Sequence, residues 1–271
     1  MRLSFENAKL ATAAAAFVVL AASPALAGNA WDEIRGSIYG NKKIEDGRGI
    51  VALGAPNRPE DMRVVPMTID AALKDGRSIK TVTYIIDENP TPVVAVFHMG
   101  DRRDSVSFKS NFRVDRQSDV RAIVEANDGS LYMVSQLVKF AGGQASCWAP
   151  PMGDPAEIIA NMGRMQLAEV KGADAASTAL GRAKIDLNHP NHTGMVMDQQ
   201  TLLYTPMKMI SEVSIRQGGE VVFNAEGSIA LSQNPSIEFD YKRGGSPDFE
   251  VTMKDTDGGT WTKSFQIGPQ S

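Results

Sequence analysis

The sequence predicts an all-β protein: two β-sandwiches joined by a linker that carries a short helix and the only cysteine. Three observations point there. Short runs of alternating apolar and polar residues, broken by turn residues, recur over 62–141 and again from 183 onward. Between them, over 141–181, the alternation stops and Gly, Ala and Pro dominate. A chain of 271 residues also exceeds the usual size of one domain.

The first element is expected to be removed. Arg2 and Lys9 give positive charge, residues 10–22 form an apolar run, Ser23-Pro24 breaks it, and Ala25-Leu26-Ala27 supplies a small-x-small cleavage pattern. The run is shorter than the roughly 20 apolar residues a membrane span needs. It therefore reads as a secretory signal (residues 1–27, cleaved after Ala27), with no twin-arginine pair to suggest another route. No later segment is long and apolar enough to anchor the chain, so a soluble periplasmic protein is expected.

After a polar lead-in, the strands begin. Over 105–114, Val106, Phe108, Phe112 and Val114 fall on one face, with Lys109, Asn111 and Arg113 on the other. Val93-Val94-Ala95-Val96-Phe97 is more continuous, as in a central strand, and Asn89-Pro90-Thr91-Pro92 before it must be loop or edge. Asn127-Asp128-Gly129 between two alternating runs marks a hairpin.

In the linker, Asp154-Pro155 reads as an N-cap followed by Pro at the first helical position, opening a helix to about Met165. In the second half, Gln217-Gly218-Gly219 and Asp255-Thr256-Asp257-Gly258-Gly259 are hairpin turns between alternating strands. Several short strands per half suit a sandwich or a barrel, and nothing marks barrel closure. The expected division is 28–143 for the first sandwich, 144–182 for the linker and 183–271 for the second. The halves show no residue-by-residue repeat.

A formal net charge of −4 and the lack of a basic stripe argue against a nucleic-acid partner. There is no nucleotide-binding loop, Ser-His-Asp arrangement or c-type haem attachment motif, nor a recognisable pair of carboxylates. The chain is not expected to be an enzyme, and no cofactor or metal is expected. His189 and His192 with Met195 and Met197 have the ligand chemistry for copper, but a loop leading into a strand explains them better. Asp255, Asp257 and Gly258 resemble the start of a calcium loop yet lack its later ligands. Most of the 13 methionines are expected as core or interdomain filler, although methionine also suits adaptable docking surfaces.

Cys147 cannot form an internal disulfide, being alone. It is either a small buried hydrophobe or an accessible thiol. Its flanks are Gly142, Gly143, Gln144, Ala145, Ser146, Trp148 and two prolines rather than an apolar strand, which favours the accessible reading.

A series of segments carries a resemblance. In the first half these are Trp31-Asp32-Glu33-Ile34, Val64-Val65-Pro66-Met67-Thr68-Ile69, Asp87-Glu88-Asn89-Pro90-Thr91-Pro92, residues 107–114, Asp128-Gly129-Ser130-Leu131-Tyr132 and Val138-Lys139-Phe140-Ala141-Gly142-Gly143. In the second they are His189-Pro190-Asn191-His192-Thr193-Gly194, Glu212-Val213-Ser214-Ile215, Asn234-Pro235-Ser236-Ile237-Glu238-Phe239 and Lys254-Asp255-Thr256-Asp257-Gly258-Gly259. The first set resembles the SoxY carrier subunit of bacterial sulfur oxidation, the second SoxZ. The whole is similar to fused SoxYZ-like proteins associated with quinoprotein dehydrogenases.

The resemblance implies two immunoglobulin-like sandwiches. It also implies thiosulfate-derived intermediates held covalently on a cysteine in a glycine-rich arm and passed among sulfur-oxidation enzymes and c-type cytochromes. Gly142 and Gly143 align with the first glycines of that arm, leaving Cys147 as the nearest thiol. In this chain three residues separate Gly143 from Cys147, and a second domain tethers the arm at its far end. The rival expectation is a non-covalent docking module for a quinoprotein dehydrogenase, with Cys147 incidental.

Overall fold

Alternation in the sequence becomes sheet wherever one face can be buried. In a computed structural model of the chain, residues 30–140, 142, 145–171, 179–199 and 201–267 are described. The expected signal segment lies outside them, as do Ala141, Gly143 and Gln144.

The first half holds β1 (Ile44–Asp46), β2 (Val51–Gly54), β3 (Val65–Ala72), β4 (Ile79–Ile86), β5 (Val93–Met99), β6 (Ser105–Phe112), β7 (Ser118–Ala126) and β8 (Leu131–Val138). β3 shows the rule plainly: Val65, Met67, Ile69 and Ala71 are buried while Pro66 and Asp70 are exposed. The linker contributes a helix, numbered α2 below, and β9 (Met165–Glu169). The second half adds β10 (Leu180–Leu187), β11 (Ile210–Gln217), β12 (Glu220–Gly227), β13 (Ser236–Lys242), β14 (Asp248–Asp255) and β15 (Thr260–Gln266). The all-β, immunoglobulin-like sandwich class expected from the sequence holds, and no helix among the described residues is long and apolar enough to cross a membrane.

The two halves are not separate bodies on a tether. One sheet has nine strands in the order β1-β8-β7-β4-β5-β12-β11-β14-β15, and the other six in the order β2-β3-β6-β13-β10-β9. Both cross the boundary, through β5 pairing with β12 and β6 pairing with β13, each antiparallel. A single core follows the seam. Phe97 stacks on Phe108 at 4.4 Å between ring centroids, and Phe223 meets both edge-on at 5.5 and 5.3 Å, then Phe239 at 5.3 Å. All four rings are buried, two from each half. Phe223→Ala should therefore cost about 3–5 kcal/mol. Because the core is shared, chemical denaturation should still give one transition for both halves. Two resolved transitions by tryptophan fluorescence and circular dichroism would contradict the shared core.

The three expected hairpins are present: β7–β8 turns at Gly129, β11–β12 at Gly218 and Gly219, and β14–β15 at Gly258, each glycine at positive φ. Elsewhere the lead-in proved richer than its polarity suggested. Helix α1 (Ala30–Tyr39) packs Trp31 against Ile85, Ile123 and Leu131, on the sheet face opposite Tyr84, Ile86, Ala122 and Val124. Helix α2 (Pro155–Asn161) is capped as expected, Asp154 accepting hydrogen bonds from the Ala156 and Glu157 amides at 2.7 and 3.3 Å. It stops before Met165, which instead starts β9 and pairs with β10.

Candidate functional site

The linker returns to the seam immediately after β8 and its following residues. Ser146–Trp148 form a single 3-10 turn that carries Cys147. The turn is held from both halves of the molecule. The Cys147 amide donates to Asp115 Oδ1 at 2.9 Å, and its carbonyl accepts from Thr193 Oγ1 at 2.7 Å. Farther along, Met152 and the Gln233 side chain exchange hydrogen bonds at 2.8 and 2.7 Å, so the chain leaving the turn is fixed too.

Cys147 is consequently 0% exposed, which corrects the expectation of an accessible thiol. The physical reason is that Gly, Ser and Pro flanks remove regular structure without removing partners. Asp115 and Thr193 supply the hydrogen bonds that a buried backbone needs. Trp148, next in line, is 42% exposed, and Gly142 lies exposed at φ 99°.

The segment that receives the turn continues from β6. The Arg113 amide donates to Ala230 O (2.7 Å) and the Val114 amide to Met62 O (2.8 Å), while the Asn89 side chain spans Arg113 O (2.8 Å) and the Asp115 amide (2.9 Å). Partners on alternating sides keep this stretch extended, so the Arg113 and Asp115 side chains share a face. Asp115 is fully buried with Val114 on the opposite face. Arg113, on the polar face with Lys109 and Asn111, is buried as well: its Nη1 donates to Ile229 O at 3.1 Å and to Leu231 O.

Electrostatics follow from this packing. Burial pushes the Cys147 thiol up to about 12, the Asp115 carboxylate adds to the rise, and the Arg113 guanidinium pulls the other way. Burial drags Arg113 itself down to about 10. Among the described residues, Asp115 Oδ2 and Ser146 Oγ are buried with no hydrogen-bond partner. The thiol thus stays protonated, under the opposing influence of the Asp115 carboxylate and the Arg113 guanidinium, and Arg116 lies 3.9 Å from Asp115 Oδ2.

The other candidates are placed differently. His189 is buried, its Nδ1 accepting from the Asn191 amide (3.1 Å) and its Nε2 lying 3.3 Å from Asp255 Oδ2. Burial holds the imidazole below its usual range, and His192 is lowered for the same reason. Met197 is exposed and Met195 only partly buried. Among the described residues no group of three or more His, Cys, Asp or Glu could hold a metal ion. Asp255 serves its hairpin, its Oδ1 accepting from the Asp257 and Gly259 amides at 3.0 and 2.6 Å. Sequence reasoning missed Asp115, Asn89, Arg113 and Thr193 as neighbours of Cys147. Three of them lie in segments that carried the resemblance (Asn89, Arg113 and Thr193).

Comparison with known proteins places these segments. Residues 35–144 match the family model described as sulfur oxidation protein SoxY, and residues 170–266 the model described as sulphur oxidation protein SoxZ. Cys147 lies in the interval between the two matches. No curated protein matches the chain. Among solved structures, the sulfur carrier protein SoxY from Chlorobium limicola f thiosulfatophilum is similar at 22% identity. That match covers 41% of this chain and 94% of that one, with a TM-score of 0.33. With a SoxY unit followed by a SoxZ unit on one polypeptide, and their strands joined in common sheets, the chain belongs to the fused SoxY–SoxZ proteins.

Proposed function

We propose that this protein is an exported, periplasmic carrier that holds sulfur-compound intermediates covalently on Cys147 and presents them to sulfur-oxidation enzymes. One observation carries the reading. The single thiol sits at the seam between the SoxY and SoxZ units in a polar seat, beside the Asp115 carboxylate that holds its amide and the Ser146 hydroxyl, rather than in hydrocarbon. A cysteine kept only as a small hydrophobe needs no such surroundings.

Loading requires the 3-10 turn to leave its seat, which breaks the bonds to Asp115 and Thr193. Coupling thiosulfate to the freed thiol makes a sulfur–sulfur bond and releases one proton and two electrons. A c-type cytochrome partner is the acceptor for those electrons. The SoxZ unit, being covalently attached, stays with the carrier at any dilution.

Intact mass of the native periplasmic protein, with and without reductant, tests this. A reductant-labile sulfane or thiosulfonate adduct mapping to Cys147, on a chain starting at Gly28, is expected. A Cys147→Ser protein that fully supports sulfur-compound oxidation would sink the carrier role. The burial of Cys147 favours one other reading, a docking module for a quinoprotein dehydrogenase. In that case the dehydrogenase is retained equally by the wild type and by Cys147→Ser.

A further inference from the structure

The hydrophobic side chains that water reaches are not spread evenly over the molecule. Of nine large ones exposed among the described residues, five lie on the loop between β10 and β11: Met197, Leu202, Leu203, Tyr204 and Met207. Leu202 and Leu203 are the most exposed of all, at 66% and 68%. A sixth, Ile159, is on α2, which buries none of its residues. Singly exposed leucines are ordinary, but such a concentration marks a surface made for contact.

The loop is built rather than slack. Its root closes where the Lys208 amide donates to His192 O at 3.0 Å, and Met197 and Tyr204 pair across it. Farther out, the Leu202 amide donates to Asp198 O at 2.9 Å, while Asp198 Oδ1 accepts from the Thr201 amide at 2.7 Å. Leu202 is thereby held at φ 57°, in the left-handed region that a leucine side chain resists. The other described non-glycine residues at positive φ, Asn191 and Asn234, are of a type that tolerates it. Strain of this sort persists only where the surroundings impose it. Here it accompanies two exposed leucines.

Helix α2 is tied to the same root. The Gly163 amide donates to Asn188 O at 2.8 Å, and Asn234, next to the Gln233 that holds Met152, donates its amide to His189 O at 2.9 Å. Charge then narrows the occupant. Residues 145–162 and 193–207 contain three acidic side chains, Asp154, Glu157 and Asp198, and no lysine or arginine. Of the flanking cations, Lys208 is engaged by Asp257 at 3.0 Å, Arg116 lies 3.9 Å from Asp115 Oδ2, and Arg164 follows the end of α2. A second copy would bring the same acidic set to the contact, and an anionic membrane would repel it. We propose that the loop and α2 form a docking surface for a protein partner whose apolar face is flanked by lysine or arginine. The surface excludes the thiol, so it goes beyond the carrier reading and holds whichever role Cys147 has.

Two fluorescein-labelled synthetic amphipathic helices, one of Leu and Lys and one of Leu and Glu, serve as probes in anisotropy titrations of the full chain. The Leu–Lys helix should bind about tenfold tighter or more, and weaken as salt rises to physiological ionic strength. Leu202→Ser, Leu203→Ser and Tyr204→Ser combined should weaken it by about tenfold or more. Ile38→Ser with Leu137→Ser, which removes two exposed side chains on α1 and β8, should leave it unchanged.

Equal binding of the two helices, or equal binding by wild type and the triple variant, overturns the proposal. So does a dimer in sedimentation equilibrium that the triple variant abolishes, which makes a second copy the occupant. Flotation of wild type but not of the triple variant with phosphatidylglycerol vesicles overturns it in favour of lipid. If the triple variant loses its cooperative melt, Leu203→Ser alone decides: about a threefold loss is expected, and no loss rejects the proposal. The titration involves no adduct. Its failure therefore leaves the carrier reading intact, and a missing adduct leaves the docking surface standing.

Discussion

At pH 8 the native protein should react with iodoacetamide about a thousandfold more slowly than the same chain in denaturant. The thiolate is the nucleophile, and an ordinary cysteine with a pKa of about 8.5 is roughly a quarter ionised at that pH. Burial lifts Cys147 to about 12, which leaves about one molecule in ten thousand ionised. The sign is set by desolvation, since both the dry seat and Asp115 disfavour a second negative charge. The pH profile separates two routes. Reaction within the seat climbs tenfold per pH unit towards 12, whereas reaction through an opened turn levels off near 8.5 like the denatured chain. A native rate within tenfold of the denatured one would mean that the turn is mostly open, and the closed seat would have to be abandoned. Thr193→Val, which removes the clasp on the Cys147 carbonyl, should speed the reaction.

A stability effect as large as that of Phe223→Ala is expected where β7 meets the end of β4 in the nine-stranded sheet. Arg121 meets Asp87 through two nitrogens, Nε to Oδ1 at 2.8 Å and Nη2 to Oδ2 at 2.6 Å, with both side chains almost fully buried. The Arg121 guanidinium also lies 4.4 Å from the Trp31 ring centroid. Removing one member leaves the other charge buried, Arg121 keeping only the half-exposed Asp119 at 3.6 Å. Asp87→Ala or Arg121→Ala should therefore cost about 3–5 kcal/mol in denaturant unfolding, with Arg121→Ala the costlier. The double replacement should cost less than the sum of the two single changes, because no orphan charge remains. Costs below about 1 kcal/mol for both single changes would show that water reaches the pair.

What could be read from the sequence was what is decided locally. Gly129, Gly218, Gly219 and Gly258 turn their hairpins through their own backbone freedom, and the alternation in β3 and β6 marks its buried face unaided. Asp154 caps its helix from two and three residues away. The seat of Cys147 was not legible because its partners are remote: Asp115 is 32 residues away and Thr193 46. The burial of Arg113 was not legible either, because the carbonyls that hold it lie 116 and 118 residues later. Helix α1 was passed over because its buried contact rests chiefly on Trp31, which the rest of its mainly exposed sequence does not announce. The joining of two sandwiches into common sheets likewise depends on which edges meet, and alternation within a strand is silent about that.

The seam also sets an order of events during synthesis. His98 on β5 meets Glu226 on β12, 128 residues downstream, and Lys109 on β6 meets Glu238 on β13 after 129. A chain that emerges N-terminus first presents the edges of β5 and β6 uncovered until its second half follows. Those edges accept any strand of matching pattern, and another copy of the chain presents the same one. The molecule's own second half competes well only because it is tethered nearby. Crowding of nascent chains therefore favours reciprocal exchange, with the SoxZ unit of each copy completing the sheets of its neighbour.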